Sequence, residues 1–136
     1  MNNSDLIQKN FHQNCLICGN KNPWSLGLCF YATDDGWVCS EFQSHEKLQG
    51  YDGILHGGIV STLLDAAMTN YLFHHNIQAV TGELLVRFLH PTACDSKLIV
   101  RARILSEKSL LYVLEAELIH EDKVMAKAKA KFIRRS

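Results

Sequence analysis

The segment Gln49-Gly50-Tyr51-Asp52-Gly53-Ile54-Leu55-His56-Gly57-Gly58, followed by Asp65, carries the residue types in this chain best suited to chemistry. Two glycines at the mouth of a helix let a ligand approach the backbone closely. They also leave first-turn N–H groups unpaired at the positive end of the helix dipole. Such a site can hold negative charge developing on a carbonyl oxygen, and one donor of this kind is worth ~2.7–4 kcal/mol in a transition state. The plainer alternative is that Gly57 and Gly58 only allow tight packing. His56 can donate to a substrate carbonyl or a leaving group, or serve the structure alone. Asp65 is flanked by Leu63, Leu64, Ala66 and Ala67, which predicts at least partial burial. An ionised carboxylate in such a place is costly unless paired or hydrogen-bonded. Its position far inside a helix argues against capping; an interface ion pair is the structural alternative, and its chemical reading is general base or nucleophile toward an acyl carbon.

His56 and Asp65 are nine residues apart. At ~100° and ~1.5 Å per residue they stand on opposite sides of a helix and ~13 Å apart along it. They cannot share one substrate atom within a single chain. A twofold dimer with antiparallel helices would bring His56 and Gly57 of one copy to Asp65 of the other, twice.

The element that must carry these residues is a helix from Gly57 to about His74. Apolar residues fall at Ile59, Val60, Leu63, Leu64, Ala67, Met68, Tyr71 and Leu72, a stripe wide enough to be buried on more than one side. Before it, Leu28–Thr33 and Trp37–Phe42 flank Asp34-Asp35-Gly36 as a hairpin. After it come strands at Val80–His90, Lys97–Leu105, Leu110–His120 and Lys123–Ile133, two of the joints being the polar turns Ser106–Ser109 and Glu121-Asp122. The run Ala126-Lys127-Ala128-Lys129-Ala130-Lys131 alternates strictly, small residues on one face and lysines on the other. One helix cannot cover both faces of six strands, so the sheet is expected to wrap around it, an α+β architecture. The chain reads as one domain, 1–136, with an irregular segment 1–27, a short helix at about Ser4–Phe11, and a core over 28–136.

Lys plus Arg and Asp plus Glu are 14 each, so no basic field selects nucleic acid or an anionic membrane. The N-terminus lacks a signal-peptide pattern, and the five cysteines are expected to be reduced in a cytoplasmic setting. Cys15-x-x-Cys18, with His12 three residues earlier, is half of a zinc site. No second CxxC follows, so the expectation is buried thiols and no metal. His74-His75 is suited to capping the helix C-terminus. Trp24 and Trp37 read as core or interface residues. Neither a glycine-rich nucleotide loop nor a Gly-x-Ser-x-Gly elbow is present.

Leu55-His56-Gly57-Gly58 through Asp65-Ala66-Ala67-Met68 resembles the HGG…D segment of PaaI-type hotdog thioesterases, and the similarity extends over about residues 15–133. Cys15-Leu16-Ile17-Cys18-Gly19, Asn22-Pro23 and Gly27-Leu28 resemble the start of one branch of that family. The resemblance implies a hotdog fold, a homodimer or homotetramer, and hydrolysis of an acyl-CoA thioester to an acid and CoA with no cofactor. It implies that the Gly57 N–H polarises the carbonyl and that Asp65 of the second chain attacks it or activates water. His56 would support the loop or the leaving thiolate, and Thr81 the water. Gly58, Ser61 and Gly82 are expected to bind the substrate. Many relatives carry an asparagine six residues before the histidine; here that position is Gly50, with Gln49 beside it offering an amide. A hotdog domain that holds an acyl ligand without turnover is the alternative, kept open by Gly50; a hydratase would want a different Asp/His arrangement.

Overall fold

The computed structural model describes residues 12–135, so the helix expected at Ser4–Phe11 lies outside the described residues. Six strands form one antiparallel sheet: β1 Tyr31–Ala32, β2 Val38–Gln43, β3 Ala79–Phe88, β4 Lys97–Lys108, β5 Leu111–His120 and β6 Lys123–Arg134. A single long helix, α1 Gly57–His74, lies between β2 and β3 in the chain. The order across the sheet is β1-β2-β4-β5-β6-β3. β3 therefore leaves the helix and runs to the far edge, where β6 alone among the described residues pairs with it.

The sheet curls around α1. Val60, Leu63, Leu64, Ala67, Met68 and Leu72 are buried against Val100, Ala102, Leu114, Leu118, Ala128 and Phe132 of the inner face. This is the wrapped sheet that the wide apolar stripe requires, and it is the hotdog arrangement. The alternation on β6 explains why the curve closes: Ala126, Ala128 and Ala130 present only methyl groups to the helix while Lys127, Lys129 and Lys131 stay exposed. On the outer face Arg101 and Arg103 pair with Glu117 and Glu115 at 2.7 and 2.6 Å. Both guanidinium groups lie over the buried ring of Trp37, at 4.1 and 4.3 Å from its centre. Trp24, by contrast, is 82% exposed and outside the core.

Three boundaries depart from the sequence expectation by more than one residue, each for a local reason. β1 keeps only two residues of the expected Leu28–Thr33 because Leu28 and Phe30 turn into the core, and the Leu28 N–H donates to the Ile17 carbonyl instead of to a strand. β4 continues to Lys108 because a bulge between Ile104 and Ser106 restores its pairing with β5, leaving the reversal to Ser109, at φ 57°, and Leu110. β3 stops at Phe88 because the N–H groups of Leu89 and His90 both donate to the Met125 carbonyl. The turn expected at Glu121-Asp122 is present, both residues having positive φ.

Candidate functional site

His56 is the N-cap of α1, with extended backbone (φ −58°, ψ 131°), and its Nδ1 accepts the Gly58 N–H at 2.8 Å. The cap has two consequences. Gly58 is not one of the unpaired donors expected at this mouth, because the neighbouring imidazole satisfies it. A neutral ring that accepts at Nδ1 carries its proton on Nε2, so His56 offers a donor on its outer side. The exposed Gly57 N–H has no acceptor among the described residues. It opens on a cleft of about 680 Å³ walled by Tyr51, Ile54, Val60, Phe88, Leu89 and His90.

Asp65 sits on the one open stripe of α1. Gly58 is exposed, and Ser61, Thr62, Asp65 and Thr69 are half-buried, at the three- and four-residue spacing that puts them on one side of a helix. The Thr81 hydroxyl, arriving from β3, donates to Asp65 Oδ1 at 2.6 Å. Burial pushes the Asp65 carboxyl above its ordinary value, and the Thr81 hydrogen bond works against that. Cys15 and His12 lie near enough to act on the same carboxyl, the first raising it and the second lowering it. Cys15 itself is held down to about 3, chiefly by a hydrogen bond with the Cys18 side chain.

Thr81 reaches Asp65 because of a register shift. β3 and β6 slip between Thr81 and Glu83, and Gly82 is the bulged residue. A side chain there would press on Ile133, at 3.3 Å. Thr81, Leu84, Val86 and Phe88 pair with the buried Phe132, Ala130, Ala128 and Ala126, so all four share the inner face. Leu84 and Phe88 remain 37% and 55% exposed there, apolar side chains on a sheet edge that nothing among the described residues covers.

Two groups of residues result. His56 and Gly57 line the cleft; Asp65 and Thr81 form a separate pair outside its walls. Gln49 is held away from the cleft, its Oε1 accepting the Gly53 N–H at 3.0 Å, and it borders a smaller recess of about 290 Å³ with Gly58 and Thr62. Gly50 is the residue that faces His56: a Cβ at this position would meet its ring at 3.4 Å. Ser61 stands one turn before Asp65 on the open stripe. Sequence reasoning missed the opposite wall, Phe88 to Thr92, because about thirty residues separate it from the helix mouth in the chain. The only signal was Pro91, which marks where β3 must end.

The sequence profile of the thioesterase superfamily matches residues 52–127, more than half of the chain. A Saccharolobus solfataricus protein that carries an esterase name, SSO1253, is 32% identical over 92 residues, 66% of this chain and 61% of that protein. The chain thus spans about three fifths of that relative's length. Escherichia coli PaaI, from the phenylacetic acid degradation operon, matches with a TM-score of 0.75 at 19% identity, covering 96% of this chain and 89% of PaaI. A thioesterase protein of Streptococcus pneumoniae, solved with coenzyme A, matches with a TM-score of 0.74 at 17% identity, covering 80% of this chain and 89% of its own. The pneumococcal protein was also solved with a threonine and, separately, an aspartate changed to alanine, at positions sixteen residues apart. At these identities the structural matches speak for the fold. With the profile match across the helix and the strands that wrap it, they make this chain a member of the thioesterase superfamily, built on the hotdog fold of the PaaI-type proteins.

Proposed function

We propose that this chain hydrolyses an acyl-CoA thioester to the free acid and CoA, in a site shared between two copies. The observation that carries the reading is the Asp65–Thr81 pair: a half-buried carboxylate, made more basic by burial, aimed by a hydroxyl and lying on the one open stripe of α1. The spacing of sixteen residues between Asp65 and Thr81 equals that between the aspartate and threonine altered in the pneumococcal protein. That protein's crystal with coenzyme A supports the same class of substrate here.

The second copy is supported by β3. Among the described residues nothing pairs with the backbone of its outer edge, and Leu84 and Phe88 are left exposed beside it. Pairing of two β3 edges across a twofold axis covers those side chains and sets the two helices antiparallel. The Asp65 stripe of one copy then meets the Gly57 cleft of the other. The proposal makes the protein a cytoplasmic homodimer, or a homotetramer of two such dimers.

In the shared site the Gly57 N–H donates to the thioester carbonyl oxygen. The partner's Asp65 takes a proton from water as that water attacks the carbonyl carbon. The π electrons move to the oxygen, where the Gly57 N–H and the helix dipole hold the charge. Collapse breaks the C–S bond, CoA leaves as a thiolate, and the proton on the partner's Asp65 passes to the products. The Nε2–H of His56 is available to the leaving sulfur, while its Nδ1 keeps the loop in place. The apolar walls of the cleft suit the acyl group.

Thiol release over a panel of acyl-CoAs tests the reading. Turnover of at least one class is expected, lost in Asp65→Asn while the fold and assembly persist. Tight binding of acyl-CoA with no thiol released by the unaltered protein would favour the ligand-holding alternative.

A further inference from the structure

The segment ahead of β1 contains a cluster that the hydrolytic reading does not use. His12, Cys15 and Cys18 bring one ligand atom each, an imidazole nitrogen and two sulfurs, to within 4.8 Å of one another. We propose that these three side chains bind a thiophilic divalent cation, zinc by the chemistry of the donors.

The donor set is the first reason. Two cysteine sulfurs and one imidazole nitrogen select zinc over the hard cations that carboxylates and carbonyls hold. Zinc bonds of ~2.0–2.3 Å in a tetrahedron place neighbouring ligand atoms roughly 3.3–3.8 Å apart. His12 Nδ1 and Cys18 Sγ already stand at 3.2 Å, so closing the site needs only small side-chain rotations.

The backbone is the second reason, because its hydrogen bonds gather the three side chains. The Cys15 N–H donates to the His12 carbonyl at 3.0 Å, and the Gly19 N–H to the Cys15 carbonyl at 2.9 Å. These bonds turn the chain so that residues three apart face one point. The Ile17 N–H points at Cys15 Sγ, 3.4 Å away, the kind of outer hydrogen bond that steadies a coordinating thiolate. Gly19 is forced: a Cβ there would lie 2.4–2.6 Å from backbone atoms of Cys15 and Gln13. The His12 ring is held edge-on against Phe73 of α1, at 4.6 Å between ring centres. The cluster therefore ties the N-terminal segment to the same helix that carries Asp65. Two thiolates and a neutral imidazole around a divalent ion leave no net charge beside that carboxylate.

This inference is independent of the hydrolytic reading, and its test does not use turnover. The reduced full chain is stripped with chelator and titrated with Co²⁺, then with Zn²⁺, following the Co²⁺ absorption spectrum and the melting temperature. One Co²⁺ per chain is expected, with thiolate charge-transfer and tetrahedral ligand-field bands that Zn²⁺ abolishes, and a melting temperature raised by Zn²⁺. The bands should vanish in Cys15→Ser and Cys18→Ser, weaken in His12→Ala and persist in Cys29→Ser. A reduced unaltered protein that develops no such bands overturns the site, whatever the variants do. So does a Cys15→Ser/Cys18→Ser double variant that retains them.

Discussion

The mouth of α1 and its middle carry complementary halves of the proposed hydrolytic site. The mouth has a cleft of about 680 Å³, the open Gly57 N–H and the second ring nitrogen of His56, but no carboxylate among the described residues lines it. The middle has a basic carboxylate and an aligned hydroxyl, but lies outside the walls of that cleft. Each half is well formed: the cap is satisfied at 2.8 Å and the carboxylate is bonded at 2.6 Å. What separates them is helix geometry, since nine residues of α-helix span ~13 Å. Local order in both halves, without proximity, is what a site completed by a second copy requires.

The contrast breaks most sharply at Asp65. Asp65→Asn keeps the shape and an acceptor for Thr81 but removes the base, so kcat is expected to fall about a hundred- to ten-thousand-fold. Stability should not fall with it. The folded carboxyl is pushed above its ordinary value by burial, so folding favours its protonated form. That advantage is complete below the unfolded pKa and is lost as pH rises through the folded one, so at neutral pH the ionised group works against the fold. Asp65→Asn is expected to melt at the same temperature or higher, which calorimetry checks.

The mouth is broken next by Gly57→Pro. Proline suits the first helical position, and His56 already has the extended backbone that a following proline demands. The substitution deletes the N–H and little else, because the nearest side chain to a Cβ there is Phe88 at 3.6 Å. A loss of roughly a hundred- to a thousand-fold in kcat is expected, with helix content unchanged by circular dichroism.

Thr81→Val sharpens the comparison with the smallest effect. Activity needs Asp65 ionised, so it falls as pH drops through a value above the ordinary Asp range. The Thr81 hydroxyl lowers that value. Its removal should shift the acid limb of the kcat profile to higher pH, with a loss near the alkaline plateau of only about tenfold or less. An acid limb that stays put would separate Thr81 from the carboxylate.

The sequence made the helix, the wrapped sheet and most residues of the candidate site legible, because those depend on periodicity and residue type. Strict alternation along Ala126–Lys131 announced β6, and an acid among Leu63, Leu64, Ala66 and Ala67 announced Asp65. What could not be read depends on partners distant in the chain or on the way a side chain turns. The shortening of β1 follows from Ile17 taking the Leu28 N–H, and the loss of Gly58 as an open donor from the way the His56 ring turns. The Phe88–Thr92 wall exists only because β3 crosses to the far edge of the sheet. The His12, Cys15 and Cys18 spacing was visible as half of a metal motif, but the turn that gathers the three ligand atoms was not.

The shared site is tested most directly by complementation. Asp65→Asn and Gly57→Pro are co-expressed with different tags and the mixed assemblies measured against each parent. Each mixed dimer has one site with both defects and one with none, so a random mixture should recover about a quarter of the unaltered activity from two nearly inactive parents. Activity in the mixture no greater than the mean of the parents would mean that Gly57 and Asp65 act within one chain or not at all, and would contradict the account.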